Sequence, residues 1–266
     1  MNLLRVGRIS ALNMYPLFHG LEGIRDPTLA FTDGLPTTLN QLVLDGALDI
    51  SAMSSIAYAR HAERLRLLPV ASVTADGAVD SIQLFSRVPF DEVRTVAVTR
   101  HSASSVALLR VLMDTPDTPF EVLDEPPERA LERVDGVLLI ADEALTALHT
   151  PFAPHNTDLA AEWRARTGLP MVFAVWAARA DTATERPEAL AAFEHHLRTA
   201  REAYLADPES VVRAAARRFP FPAEFIRPYL RRLSYDFSAS ERAGLAEFLS
   251  RATAVGELAA LPTQAA

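Results

Sequence analysis

The chain has 266 residues, with 26 basic against 34 acidic side chains, a formal net charge of −8 and 49% hydrophobic residues. That supports one large or two small cores and offers no overall basic face for nucleic acid. Cysteine is absent and every basic residue is Arg, which excludes disulfides, thiolate catalysis, thiolate metal sites, a Lys Schiff base and a Walker-type phosphate loop.

Leu4 to Ile9 alternates as a first strand and runs into Ser10 and Asn13, after which Tyr15-Pro16 opens a helix. The strand begins almost at Met1, leaving no room for a secretory leader, and no apolar run is long enough to span a bilayer. A cytoplasmic protein without membrane contact is therefore expected. From Asp33 to Asn40 a turn leads into a helix with Leu39, Leu42, Val43 and Ala47 on one face. Leu48 to Ala59 then reads strand, polar turn, helix, with Ser54 and Ser55 at the turn. Val70 to Val73 is a strand cut by Ala75-Asp76-Gly77, and Val79 to Ser86 resumes with Ser81 and Gln83 on one side, Ile82 and Leu84 on the other. Arg87-Val88-Pro89 breaks the pattern and is the first expected crossover between lobes.

Val96 to Met113 is the richest junction: a short β-branched strand, then Thr99, Ser102, Ser104 and Ser105 ahead of a helix dense in apolar residues. Hydroxyls and unbonded first-turn amides together make a cradle for an anion, a carboxylate above all. One such start is explained by ordinary capping; its recurrence along the chain points to a ligand. Prolines between Asp114 and Pro127 mark a surface connection around a short strand at Phe120 to Leu123. Val137 to Ile140 is a buried-strand run, and its following helix opens on Asp142-Glu143, a carboxylate pair suited either to acid–base work or to the helix dipole. His149 to Asn156 reads as a loop, Asp158 to Thr167 as a helix with Gly168 at its C-cap, and Met171 to Ala178 as an apolar strand and return crossover. The remainder is helical, with Pro187, Asp207-Pro208 and Pro222 opening helices and Ser238-Ala-Ser-Glu241 forming a capping box for the last.

Polar strand-to-helix junctions in this number predict a parallel α/β protein whose ligand sits at the carboxyl ends of its strands. Two well-separated crossovers predict a discontinuous two-lobe molecule, residues 1–85 with 178–266 in one lobe and 86–177 in the other, with the site in the cleft. His-Glu-x-x-His, Gly-x-Ser-x-Gly and Gly-x-Gly-x-x-Gly patterns are all missing, so neither metal nor cofactor is expected.

Several stretches, taken as a set, resemble a known family. They are Val6-Gly-Arg-Ile-Ser-Ala-Leu-Asn13 with Pro16-Leu-Phe18, Gly34-Leu-Pro with Leu39-Asn40, and Leu48-Asp-Ile with Ser54-Ser-Ile-Ala-Tyr58-Ala. Ser81-Ile-Gln-Leu-Phe-Ser86, His101-Ser-Ala-Ser-Ser-Val106, Ile140-Ala-Asp-Glu-Ala-Leu145 and Asp158-Leu159 with Trp163 and Thr167-Gly-Leu-Pro170 complete the set. The family is the chorismate dehydratases of the futalosine route to menaquinone. The resemblance implies a type II periplasmic-binding-protein-like fold and a lyase that removes water from chorismate to give 3-[(1-carboxyvinyl)oxy]benzoate. The expected partner is thus a small dicarboxylate, with Ser54, Ser55, Ser81, Ser102, Ser104 and Ser105 as candidate binding residues and Asn13, Asp142 and Glu143 as candidate catalytic residues. Between those acids and the substrate's own enolpyruvyl carboxylate, the proton acceptor stays open. Two alternatives accompany this reading: 1,4-dihydroxy-6-naphthoate synthase, a sister enzyme of the same pathway, and a solute-binding protein without catalysis.

Overall fold

Strands and helices alternate along the chain and sort into two sheets. The computed structural model describes residues 3–99, 103–113, 118–150 and 152–260, so Ser102 lies outside the described residues. In order the elements are β1 (Leu4–Ile9), α1 (Tyr15–Ile24), β2 (Leu29–Gly34), α2 (Pro36–Leu44), β3 (Ile50–Ser54), α3 (Ser55–Arg60), β4 (Leu65–Ala75), β5 (Ile82–Ser86), β6 (Val96–Val98), α4 (Ala103–Met113), β7 (Phe120–Val122) and α5 (Pro127–Ala130). There follow β8 (Gly136–Ile140), α6 (Ala141–His149), β9 (His155–Asp158), α7 (Leu159–Thr167), β10 (Met171–Arg179), α8 (Ala180–Glu185), α9 (Pro187–Ala206), α10 (Pro208–Ala215), α11 (Ala223–Arg231), β11 (Leu233–Ser234) and α12 (Ala239–Ala254). A single 3-10 turn, Leu12–Met14, joins β1 to α1.

The first sheet has the order β11-β4-β10-β3-β1-β2 and the second β7-β6-β8-β5-β9. Both are mixed. β1 runs parallel to β2 and β3, but β10 lies antiparallel between β3 and β4. In the second sheet β6 runs parallel to β7 and β8, whereas β5 is antiparallel to β8 and β9. Two of the antiparallel strands, β5 and β10, are the ones that enter from, or return to, the other lobe, while β11 is a short antiparallel edge on β4.

Each sheet takes in one strand that the boundaries at 85 and 178 assign to the other lobe. β5 bonds to β8 and β9, and β10 bonds to β3 and β4. The chain therefore crosses at residues 76–81 and returns along α7. Arg87-Val88 is only a bend inside the second lobe, and Met171–Arg179 is an interior strand with both neighbours in the first sheet. Two edge strands, β2 and β9, have no clear sequence signal. His155-Asn-Thr-Asp158 is wholly polar and partly solvated, so it lacks the apolar alternation that marks a strand with a buried face.

In the first lobe Trp176 packs against Phe18 and Phe193, with ring centroids 5.5 Å away in each case. Buried apolar residues of the second sheet, among them Leu84, Val96 and Leu138, are continuous with this core, while Phe85, Val137 and Leu139 form a smaller cluster on its other face. The C-terminal helices span both lobes. Trp163 of α7 meets Phe248 of α12 edge-on at 5.9 Å, and at Gly244 α12 passes so close to the Pro170 carbonyl that a Cβ would collide with it. Glu257, beyond α12, pairs with Arg60 of α3 at 2.8 Å and with Arg110 of α4 at 2.9 Å, tying one helix from each lobe. Sequence-level capping holds where it was expected. Asp158 accepts from the Ala160 and Ala161 amides at 3.0 and 3.1 Å, Gly168 ends α7 at φ 69°, and Glu241 accepts from the Ser238 amide at 2.8 Å. Among the described residues no helix is long and apolar enough to cross a membrane.

Candidate functional site

A cavity of about 130 Å³ lies between the two sheets, lined from both. The first lobe contributes Asn13 from the 3-10 turn, Thr37 and Asn40 from α2, Ser54 at the end of β3 and Phe173 from β10. The second contributes Ser81, Ser105 of α4, and Ile140-Ala141 where β8 becomes α6. Among the described residues no ionisable side chain lines it. A guest anion must therefore be held by hydroxyls, amides and backbone N–H groups, the donors that helix starts supply. The Asn13 and Asn40 side-chain oxygens are buried without a partner, and an unmet polar atom of this kind costs roughly 1–3 kcal/mol until a ligand satisfies it.

A larger open groove of about 760 Å³ runs along the other side of α6. Asp124, Glu125, Glu128, Asp142 and Glu143 line it, and so many carboxylates repel an anionic guest. The smaller cavity is the better candidate for an anion.

Adjacent serines separate sharply. Ser54 caps α3, accepting from the Ala57 amide at 3.3 Å, and lines the cavity. Ser55 is fully buried and donates to the Val172 carbonyl of β10. On α4 the order inverts: Ser105 lines the cavity, while Ser104 reaches across the lobes to accept from the Ile56 amide of α3 at 3.1 Å. The first-turn amides of Ile56 and Ala57 are thus both bonded to serine hydroxyls. The two helix starts face each other, and each lines the cavity with one of its serines. Ser81 is buried at the cavity wall, its carbonyl accepting from the Ala141 amide at 2.7 Å. Ala141 itself has φ 51°, a left-handed conformation that costs a side-chain-bearing residue about 1–2 kcal/mol.

Asp142 and Glu143 do not line the cavity. Glu143 is exposed toward the acidic groove. Asp142 is partly buried near the turn that carries Asn13. Burial raises the Asp142 carboxyl above its ordinary range; the nearby Leu12 backbone amide opposes this and the Glu143 charge adds to it. The Tyr229 phenol, wholly buried near Ser81 and Asp142, is likewise pushed up by burial. From the other side the Tyr235 hydroxyl donates to the Asn13 carbonyl at 2.7 Å.

Sequence reasoning brings Asn13, Ser54, Ser81 and Ser105 to one cavity and misses Thr37 and Asn40 as site residues. Their signal was present but faint: three residues apart just after Pro36 at the helix start, they share one face of α2.

The two-lobe architecture is that of periplasmic binding proteins. The Candida albicans CA3427 gene product, described as having the generic periplasmic binding protein fold, superposes with a TM-score of 0.72 at 12% identity, covering 98% of this chain and 92% of its own. AF1704 of Archaeoglobus fulgidus superposes with a TM-score of 0.77 at 20% identity, covering 96% and 98%. Residues 4–254 match the family described as Menaquinone biosynthesis, and the chain belongs to it. A chorismate dehydratase of Thermus thermophilus is 35% identical over 254 residues, 89% of this chain and 90% of the relative.

Proposed function

We propose that this protein is a chorismate dehydratase, a cofactor-independent carbon–oxygen lyase of the cytoplasm that converts chorismate to 3-[(1-carboxyvinyl)oxy]benzoate. The observation that carries the reading is the 35% identity to the Thermus thermophilus enzyme across 89% of the chain; the neutral, donor-lined cleft supports it. The elimination is balanced without an external oxidant or reductant. The ring C–H beside the ether loses its proton, the electron pair spreads through the conjugated double bond toward the ring carboxylate, and the neighbouring hydroxyl leaves as the ring becomes aromatic. Donors aimed at that carboxylate stabilise the developing charge, as an oxyanion hole does.

Ser54, Ser81 and Ser105 hold the carboxylates in this reading. Asn13 and Asn40 place buried amide oxygens in the cavity. The chorismate dianion has a single hydrogen-bond donor, the ring hydroxyl that departs, and one of these amides takes it. The other, rotated about its last torsion, offers N–H to a carboxylate. With Asp142 and Glu143 outside the cavity lining, proton removal falls to the substrate's enolpyruvyl carboxylate, whose tether gives it a large effective concentration. The cavity is far below the roughly 300–1,000 Å³ of small-molecule sites, so the lobes part to admit chorismate and close to exclude water.

Purified protein is incubated with chorismate and followed by ultraviolet absorbance and mass. The expected result is an aromatic product lighter by one water. Chorismate bound but unconverted returns the protein to solute binding, and turnover of a nucleoside-derived naphthoate precursor instead assigns it to the sister enzyme.

A further inference from the structure

We propose that Asp158 is a positioning residue that clamps the crossover between the lobes and, through it, holds Ser81 in the cleft; this rests on the dehydratase reading. Capping a helix takes one carboxylate oxygen, and Oδ1 of Asp158 serves that purpose for the Ala160 and Ala161 amides of α7. Its Oδ2 goes elsewhere. It accepts from the Val79 amide at 2.9 Å, the Asp80 amide at 2.7 Å and the Gln83 side-chain amide at 2.8 Å. Each of these bonds is strengthened by the charge of the carboxylate. Residues 76–81 are the outward passage between the lobes and α7 is the return, so one side chain fastens both.

The Oδ2 bonds fall where the backbone needs holding. Asp80 has φ 64°, a left-handed conformation that a residue with a side chain keeps only when its surroundings fix it. Ser81 follows directly. It is buried at the cavity wall, and its carbonyl accepts from the Ala141 amide at 2.7 Å. The peptide gripped by Asp158 is therefore the one from which the second-lobe wall starts, first Ser81 and Ile82 and then, through the carbonyl bond, Ala141. Gln83 is buried, and its side-chain oxygen accepts from the Asn156 amide at 3.3 Å, which leaves its N–H turned to Asp158. The Asp80 carboxylate pairs with Arg232 at 3.0 Å and so anchors the same turn to the first lobe. Asp158 does not line the cavity, so it acts through Ser81 instead of on substrate.

The test measures kcat, KM for chorismate and Tm for Asp158→Ala, Asp158→Ser and Gln83→Met, each alone and in a Ser81→Ala background. Serine offers one oxygen, enough to cap α7 but not to hold the Val79 and Asp80 amides as well. Asp158→Ser is therefore expected to melt higher than Asp158→Ala while keeping the same kinetic loss, about tenfold in kcat/KM and no deeper than that of Ser81→Ala. Gln83→Met removes only the donor that orients the carboxylate and is expected to cost about threefold. With Ser81→Ala already present, none of the three lowers kcat/KM by more than about twofold further, since each acts through the missing hydroxyl. If serine recovers kcat/KM together with Tm, capping is all that Asp158 does and the proposal is overturned. A kinetic loss that persists undiminished in the Ser81→Ala background shows general loosening of the fold and also overturns it. Gln83→Met keeps the carboxylate and the cap, and its loss with and without Ser81 decides the matter if neither Asp158 variant folds. Wild-type protein inert toward chorismate overturns the dehydratase reading and this proposal together, whereas active wild type with fully active variants overturns this proposal alone.

Discussion

The starts of α3 and α4 carry the same dipeptide, Ser-Ser, and use it in opposite order. In α3 the first serine faces the cavity and the second is locked to Val172; in α4 the first bonds Ile56 and the second faces the cavity. Ser54 is the N-cap of α3, outside the helical turn, whereas Ser104 and Ser105 are already helical residues of α4. A shift of helix phase by one residue or two swings a side chain by a hundred degrees or more, at about 100° per residue. What separates a binding hydroxyl from a structural one at such a junction is phase and a neighbouring carbonyl or amide, not residue type.

The largest effect that tests this comparison is on turnover. Ser105→Ala and Ser54→Ala are expected to lower kcat/KM for chorismate by about ten- to a hundredfold, the worth of a hydrogen bond to a charged group. Ser54→Ala also loses an N-cap and some Tm with it. Steady-state kinetics beside thermal melts decide it, and wild-type kinetics in both variants would make the two cavity serines ordinary helix-start residues.

The buried partners are expected to show the reverse. Ser55→Ala leaves the Val172 carbonyl without its donor, at a cost of about 1–3 kcal/mol in stability. Ser104→Ala uncaps Ile56 across the lobes, at about 1 kcal/mol. Denaturant or thermal melts read both losses, and KM is expected to change little. A large kinetic defect at unchanged stability in Ser55→Ala would break the division between the two roles.

The same distinction explains how much was legible in the chain. Strand-to-helix junctions announce themselves because β-branched runs, hydroxyls and apolar helices follow one another, and the serines at the cavity were among them. Which serine of a pair faces inward was not legible, because Val172 lies far from Ser55 in sequence and Ile56 far from Ser104. The lobe boundaries failed to resolve for a related reason. Met171–Arg179 reads plainly as a strand, yet its sheet is set by pairing with β3 and β4, about a hundred residues back. Asp142 and Glu143 look alike as neighbours at a helix start, and only the packing of α6 against the rest of the chain makes one of them partly buried and leaves the other exposed.

A third helix start, α6, has no capping hydroxyl at all, and it yields the smallest prediction. Ile140 at its N-cap makes no side-chain bond, and the chain turns instead through Ala141 at φ 51°, with the Ala141 amide held by the Ser81 carbonyl at 2.7 Å. Where α3 and α4 place hydroxyls, α6 places a strained backbone against the cavity. Glycine adopts this conformation without the Cβ clash, which returns about 1–2 kcal/mol, while its greater freedom in the unfolded chain takes back about 0.4–1 kcal/mol. Ala141→Gly is therefore expected to raise stability by on the order of 0.5–1 kcal/mol, a Tm gain of about 1–4 °C for a protein of this size. Loss of the methyl from the cavity wall should shift KM only slightly. A Tm that falls instead would mean that the methyl's packing outweighs the strain, and would place α6 with α3 and α4 as a start held by side-chain contacts.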